Sequence, residues 1–214
     1  MRTVFHEQLD TLNEGVADLC ERTAAMMQLA TDALLHADLD ASETVIGRLD
    51  DVDRQCAALE ADTFTLLARQ APVASDLRAV LSGMRSVADL QRMGALAAHV
   101  ARITRRRHPE IAVPGEVCGY FAEMGRIAFQ LAQDTRYVVL EGDPDMAARL
   151  NVDDEAMDNI HQRLFVVVMS PEWSHGTTAA VDVTLLSRYY ERFADHAVEI
   201  AHSVVYRSTG ARRD

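Results

Sequence analysis

Apolar residues recur along this chain at alternating spacings of four and three, the stripe that one face of a helix buries against its neighbours. The first stretch carries Phe5, Leu9, Leu12, Val16, Leu19, Thr23, Met26, Ala30 and Ala33, which predicts a helix from Val4 to His36. Asp40 with Glu43 three residues on then reads as a capping box. Behind it a second stripe runs Val45, Leu49, Val52, Cys56, Leu59, Thr63, Leu66. Pro72 breaks that pattern, and a third helix is predicted from Val73 to Arg106.

The pattern then starts again. Pro114 opens a fourth helix with Val117, Phe121, Met124, Ala128, Leu131, Thr135 and Val138 on one stripe. Gly142 suits its C-terminal cap, and Asp143-Pro144 suits an N-cap followed by a first-turn proline. The fifth helix carries Met146, Leu150, Asp153, Met157, Ile160, Leu164 and Val167. A loop from Pro171 to Gly176 leads to the sixth, with Val183, Leu186, Tyr190, Phe193, Ala197, Ile200 and Val204, and Gly210 is expected to end it. No segment alternates with the two-residue period of a strand. The fold class expected is therefore all-α: six long antiparallel helices forming two similar three-helix bundles, an internal duplication. The stretch from Arg107 to Pro114 is the boundary, giving a first bundle over 1–108 and a second over 114–214.

Composition narrows the function. Hydrophobic residues are 49% and charged residues 25% of the 214, an ordinary globular balance that excludes a disordered chain. Against 33 acidic residues stand only 21 basic ones, a formal charge of −12. Such a surface argues against nucleic acid, whose phosphates need a basic face, and suits cations or a basic patch on another protein. Cys20, Cys56 and Cys118 are odd in number and form no C-x-x-C pair, so they read as small apolar residues in a reducing compartment. Met1 to Asp10 lacks the apolar stretch of a signal peptide, and Leu164 to Met169 falls far short of the ~20 residues that span a bilayer. The expected location is the cytoplasm, at the membrane only through partners.

The chemistry lies in carboxylates on helical faces, because a buried charge is costly unless paired or metal-bound. Glu191 and Asp195 lie one turn apart on the sixth helix, and Asp154 and Asp158 repeat that spacing on the fifth. Four oxygens converging between adjacent helices would suit Mg²⁺, Mn²⁺ or iron. The plain alternative is a solvated face matched by Arg188 and Arg192. His161, three residues beyond Asp158, could approach the same place from outside the ligand set, whereas His196 reads as a packing or capping histidine. Glu199 and His202 form the one E-x-x-H within a predicted helix; Glu172 and His175 repeat it in a loop. A carboxylate di-iron enzyme needs that motif on two helices. Arg105-Arg106-Arg107-His108 either caps the third helix against its dipole or forms a docking patch for an acidic partner. There is no glycine-rich phosphate loop and no G-x-S-x-G.

Glu191-Arg192-Phe193-Ala194-Asp195-His196-Ala197 resembles the E-R-I-G-D-H-A signature of the PhoU family of phosphate-uptake regulators. Asp89-Leu90-Gln91-Arg92-Met93-Gly94-Ala95 is its counterpart one hundred residues earlier, and Arg69-Gln70-Ala71-Pro72-Val73-Ala74-Ser75-Asp76-Leu77-Arg78 is similar to the family's R-Q-P-V-A-x-D-L-R segment. The resemblance implies paired E/D-x-x-x-D motifs that hold metal in some members. The second half keeps the full set in Asp154, Asp158, Glu191 and Asp195. In the first half Leu49, Gln91 and Ala95 replace acids, although Asp50 and Asp53 remain nearby, so a divalent or trivalent metal (Mn, Mg or Fe) is expected in the second bundle only.

The resemblance further implies a non-enzymatic, cytoplasmic regulator that restrains phosphate uptake when phosphate is plentiful. Its implied partners are the ATPase subunit of a Pst-type phosphate ABC transporter and a membrane sensor histidine kinase. A homodimer stays open beside a monomer. The competing reading is a metal-binding helical protein with storage or di-iron enzyme activity.

Overall fold

The computed structural model describes residues 2–70 and 72–209, with backbone alone at 2–4, 70 and 207–209. Six helices account for nearly all of it: α1 Arg2–His36, α2 Leu39–Gln70, α3 Ser75–Arg107, α4 Gly115–Glu141, α5 Pro144–Val168 and α6 Gly176–Thr209. No strand occurs among the described residues. The stop expected at Gly210 lies outside them.

The breaks follow local chemistry. Gly142 takes the left-handed conformation (φ 69°) that a residue without Cβ adopts freely, and its N–H donates to the Val138 carbonyl. Asp143 then caps α5, its side chain accepting from the Asp145 and Met146 amides, with Pro144 in the first turn. The expected cap at Asp40 is displaced by two residues. Ala37 turns left-handed (φ 51°) directly after α1, and Asp38 Oδ1 accepts from the Ala41 amide at 2.9 Å. Asp40 is thereby carried inside α2, and Glu43 reaches across to Arg105 at 3.4 Å instead of closing a capping box. α3 begins at Ser75 rather than Val73, which is left 74% exposed.

Each half is a three-helix bundle in which every helix touches the other two. The bundles do not stand apart. α1 packs on α4 and α3 on α6, so these four helices form a central ring, with α2 outside the first pair and α5 outside the second. Contacts between Ser82 and Ser203, Asp89 and His196, His99 and Tyr189, and Arg106 and Asp182 fall in opposite chain order, so α3 and α6 zip antiparallel along their length.

The ring demands more buried surface than one stripe supplies. Of the stripe expected on α1, all but Leu9 is fully buried. A second stripe beside it, Ala17, Cys20, Ala24, Met27, Thr31 and Leu34, is buried as well. Thr31 meets Gly125 of α4, where a Cβ would fall 2.4 Å from the threonine methyl. The hydrophobic core consequently runs unbroken through both halves, from Leu12 to Val204. Phe121, Tyr190 and Phe193 are its largest side chains, each fully buried and contributing about 1.5–3 kcal/mol by area. α5, outside the ring, buries only Ala147, Leu150, Met157 and Leu164.

Candidate metal centre

α5 and α6 run antiparallel, and their register is marked by His161 Nδ1 lying 3.0 Å from Ser187 Oγ. One and two turns back along α5, and one and two turns forward along α6, that register sets Asp158 and Asp154 across from Glu191 and Asp195. The four carboxylates feel one another. Burial pushes the Asp154 carboxyl up to about 6, and the charges of Asp195, Asp158 and Glu155 push in the same direction. Glu191 is also raised, by burial first and by Asp195 next, while Arg188 pulls it down.

Two oxygens here lack what burial requires. Glu191 is 8% exposed and one of its oxygens accepts from Arg188, but Oε2 is buried with no hydrogen-bond partner. Asp154 Oδ1 is orphaned in the same way. A buried acceptor left unpaired costs about 1–3 kcal/mol, more when charged, so this seam holds a demand for positive charge that Arg188 meets only in part. Arg192 is exposed and pairs with no described residue. The donors fit a hard cation in atom type and charge. They are not drawn into a closed shell: among the described residues no three His, Cys, Asp or Glu side chains gather tightly enough to enclose a metal ion. Asp195 remains solvent-exposed at the rim. His161 lies close enough to feel Asp158 and Asp195, although burial and Arg188 together hold its pKa below the usual value.

The corresponding place in the first half is chemically closed. Gln91 Nε2 donates to Asp53 Oδ1 at 2.8 Å, so the amide satisfies an acid that a glutamate would repel. Leu49 packs against the core, and with Val52 it crowds the position a Cβ on Gly94 would take.

Other residues singled out by the sequence have other duties. His196 points away from the acids and meets Asp89 of the first half at 3.1 Å. Glu199 and His202 lie at the C-terminal end of α6 and His175 just before its start, about 36 Å apart along the helix axis. These two E-x-x-H motifs do not converge. Arg106 and Arg107 both grip Asp182, at 2.9 and 2.5 Å, and tie the end of α3 to the start of α6. That buried acid, 1% exposed, escaped the sequence reading; its flanking valines, Val181 and Val183, were the available signal.

The profile of the PhoU domain matches this sequence twice, over residues 16–104 and 121–204. The chain belongs to the PhoU family. Over 99% of both chains it is 54% identical to phosphate-specific transport system accessory protein PhoU homolog 2 of Mycobacterium tuberculosis. It is 43% identical to homolog 1 of the same organism, over 98% of this chain and 95% of the relative. Among solved structures, the phosphate transport system regulatory protein PhoU from Streptococcus pneumoniae superposes with a TM-score of 0.87 at 25% identity, covering 98% of this chain and 99% of the other. PhoU from Pseudomonas aeruginosa shares the fold, with a TM-score of 0.86. The two matched PhoU segments correspond to the two bundles, one carrying Gln91 and Asp53 and the other the four acids.

Proposed function

We propose that this chain is a regulatory adaptor of phosphate transport that restrains uptake when phosphate is plentiful. It acts by contact with the ATPase subunit of a Pst-type transporter and with a sensor histidine kinase, from the cytoplasmic side. One observation carries the reading: the PhoU domain match covers both halves, and relatives up to 54% identical over almost their whole length are accessory proteins of phosphate-specific transport. Among the described residues no helix is long and apolar enough to cross a membrane, which fits a protein that reaches the transporter through contacts.

Within that role the second bundle is the metal-responsive half. Asp154, Asp158, Glu191 and Asp195 would hold a divalent or trivalent cation such as Mn²⁺, Mg²⁺ or iron, which supplies the positive charge the orphaned oxygens lack. The chain's own part is to hold α5 and α6 in register through His161 and Ser187, and to keep one oxygen of Glu191 on Arg188. No observation favours the storage or di-iron alternative, since its two E-x-x-H motifs sit at opposite ends of α6. The test is a deletion strain grown in rich phosphate, combined with a pull-down from phosphate-replete cells. Uptake that stays high, and capture of the transporter ATPase or the kinase, are the expected results. Unchanged uptake with neither partner captured would sink the proposal.

A further inference from the structure

A cavity of about 570 Å³ lies at the other end of the molecule from the Asp182 clamp, between α3, α5 and α6. That is the size range of pockets that enclose organic ligands of moderate size. Its walls divide by chemistry. Leu81 of α3, Ala147 and Ala148 of α5, and Tyr206 of α6 make an apolar side. Arg78 and Arg85, two helical turns apart on α3, supply two guanidinium groups, with the His202 ring opposite and Glu199 as the acid among the lining residues. In a chain of net charge −12, this concave surface is locally basic.

The arginines are not spent on structure. Neither Arg78 nor Arg85 forms an ion pair among the described residues. The Nε of Arg78 is moreover buried without a hydrogen-bond acceptor, a donor that folding has removed from water and left unmatched. The floor, by contrast, is satisfied: Ser82 Oγ lies 2.7 Å from both the carbonyl and the hydroxyl oxygen of Ser203. A built apolar wall facing two uncommitted guanidiniums describes a complementary ligand.

We propose that this cavity binds a small organic phosphate of nucleotide size, its phosphoryl group on Arg78 and Arg85 and its apolar or aromatic body against Ala148, Leu81 and Tyr206. A tetrahedral phosphoryl group offers three oxygens to two guanidiniums approaching from different directions, where a planar carboxylate offers one edge. Inorganic phosphate alone would leave the apolar wall wet. Because α3 belongs to the first bundle and α5 and α6 to the second, the occupant would bridge the halves and stabilise the folded chain by mass action.

The experiment uses the purified full chain in chelator-containing buffer, with AMP, adenosine, inorganic phosphate and citrate titrated by calorimetry and thermal melting. AMP should bind and raise the melting temperature, and adenosine and citrate should not. The R78Q/R85Q double variant should weaken AMP binding at least tenfold. Should that variant fold poorly, Ala148→Glu at an exposed lining position, which places a carboxylate on the wall that takes the apolar body, should give the same loss with an unchanged melting temperature of the free protein. Absence of AMP binding would overturn the proposal. So would AMP binding no tighter than inorganic phosphate, citrate bound in its place, or affinity surviving both variants. None of these readouts involves uptake or partner capture, so the outcome is separable from the adaptor reading.

Discussion

The hydroxyls of Thr31 and Tyr190 lie 2.8 Å apart, one from each half of the chain, beside the glycine that lets α1 and α4 approach. Thr31 also donates to the Met27 carbonyl at 2.8 Å, so it keeps a partner if the tyrosine is lost, whereas Tyr190 has no second acceptor among the described residues. Tyr190→Phe should accordingly cost about 1 kcal/mol or less, and Thr31→Ala about 1–3 kcal/mol, because the second strands a buried hydroxyl. Gly125→Ala should cost a further ~1–3 kcal/mol by overpacking, and the loss should shrink when combined with Thr31→Ala. Urea unfolding of the four variants measures the order.

Asp182 is nearly inaccessible, while its partners Arg106 and Arg107 are 58% and 31% exposed. Replacing the acid removes two charge-assisted bonds at once, and Asp182→Ala should destabilise the chain by about 2 kcal/mol. Arg106→Ala leaves Arg107 in place and should cost less than about 1 kcal/mol. Equal losses in the two variants would show that the acid is not the hub of the clamp.

The acids on α5 and α6 set a pH dependence with a definite sign. Asp154 titrates near 6 when folded against an ordinary 3.8, and Glu191 moves the same way. Between those values the folded chain binds more protons than the unfolded one, so stability falls as pH rises through the window. The metal-free protein should therefore melt higher at pH 5 than at pH 7, and Asp154→Asn should flatten that difference. A wild-type melting temperature that climbs from pH 5 to pH 7, with Asp154→Asn following it, would reverse the assignment.

If a cation occupies the second bundle, it competes with those protons. Mn²⁺ should raise the melting temperature more at pH 7.5 than at pH 5, since its ligands must be deprotonated. Glu191→Gln/Asp195→Asn should abolish that gain and Asp53→Asn should leave it intact. Metal content retained in the double variant would place the ion elsewhere.

Much of this could be read from the chain. One stripe per helix, the cap at Asp143, the glycine at Gly142 and the one-turn pairing of acids on α5 and on α6 all follow from local spacing, because a helix converts spacing directly into a face. What resisted reading were relations between helices distant in sequence. The second stripe on α1 consists largely of small residues, Ala17, Cys20 and Ala24 among them, which a stripe already complete with Leu12, Val16 and Leu19 made look incidental. Asp38 and Asp40 are chemically equal caps; the left-handed turn at Ala37 chose between them. The bond from Gln91 to Asp53 and the grip on Asp182 are tertiary, with no local signature beyond a polar residue in apolar company.

The shared core makes the covalent continuity of the stretch between Arg107 and Gly115 dispensable in the folded state, with Ala112 and Val113 held in that core by packing. A protease nick there would leave two fragments joined by every surface α1 shares with α4 and α3 with α6. They would migrate as one particle until denatured. Either fragment made alone would present its inner stripe to water, and would sooner find a second copy of itself than remain single.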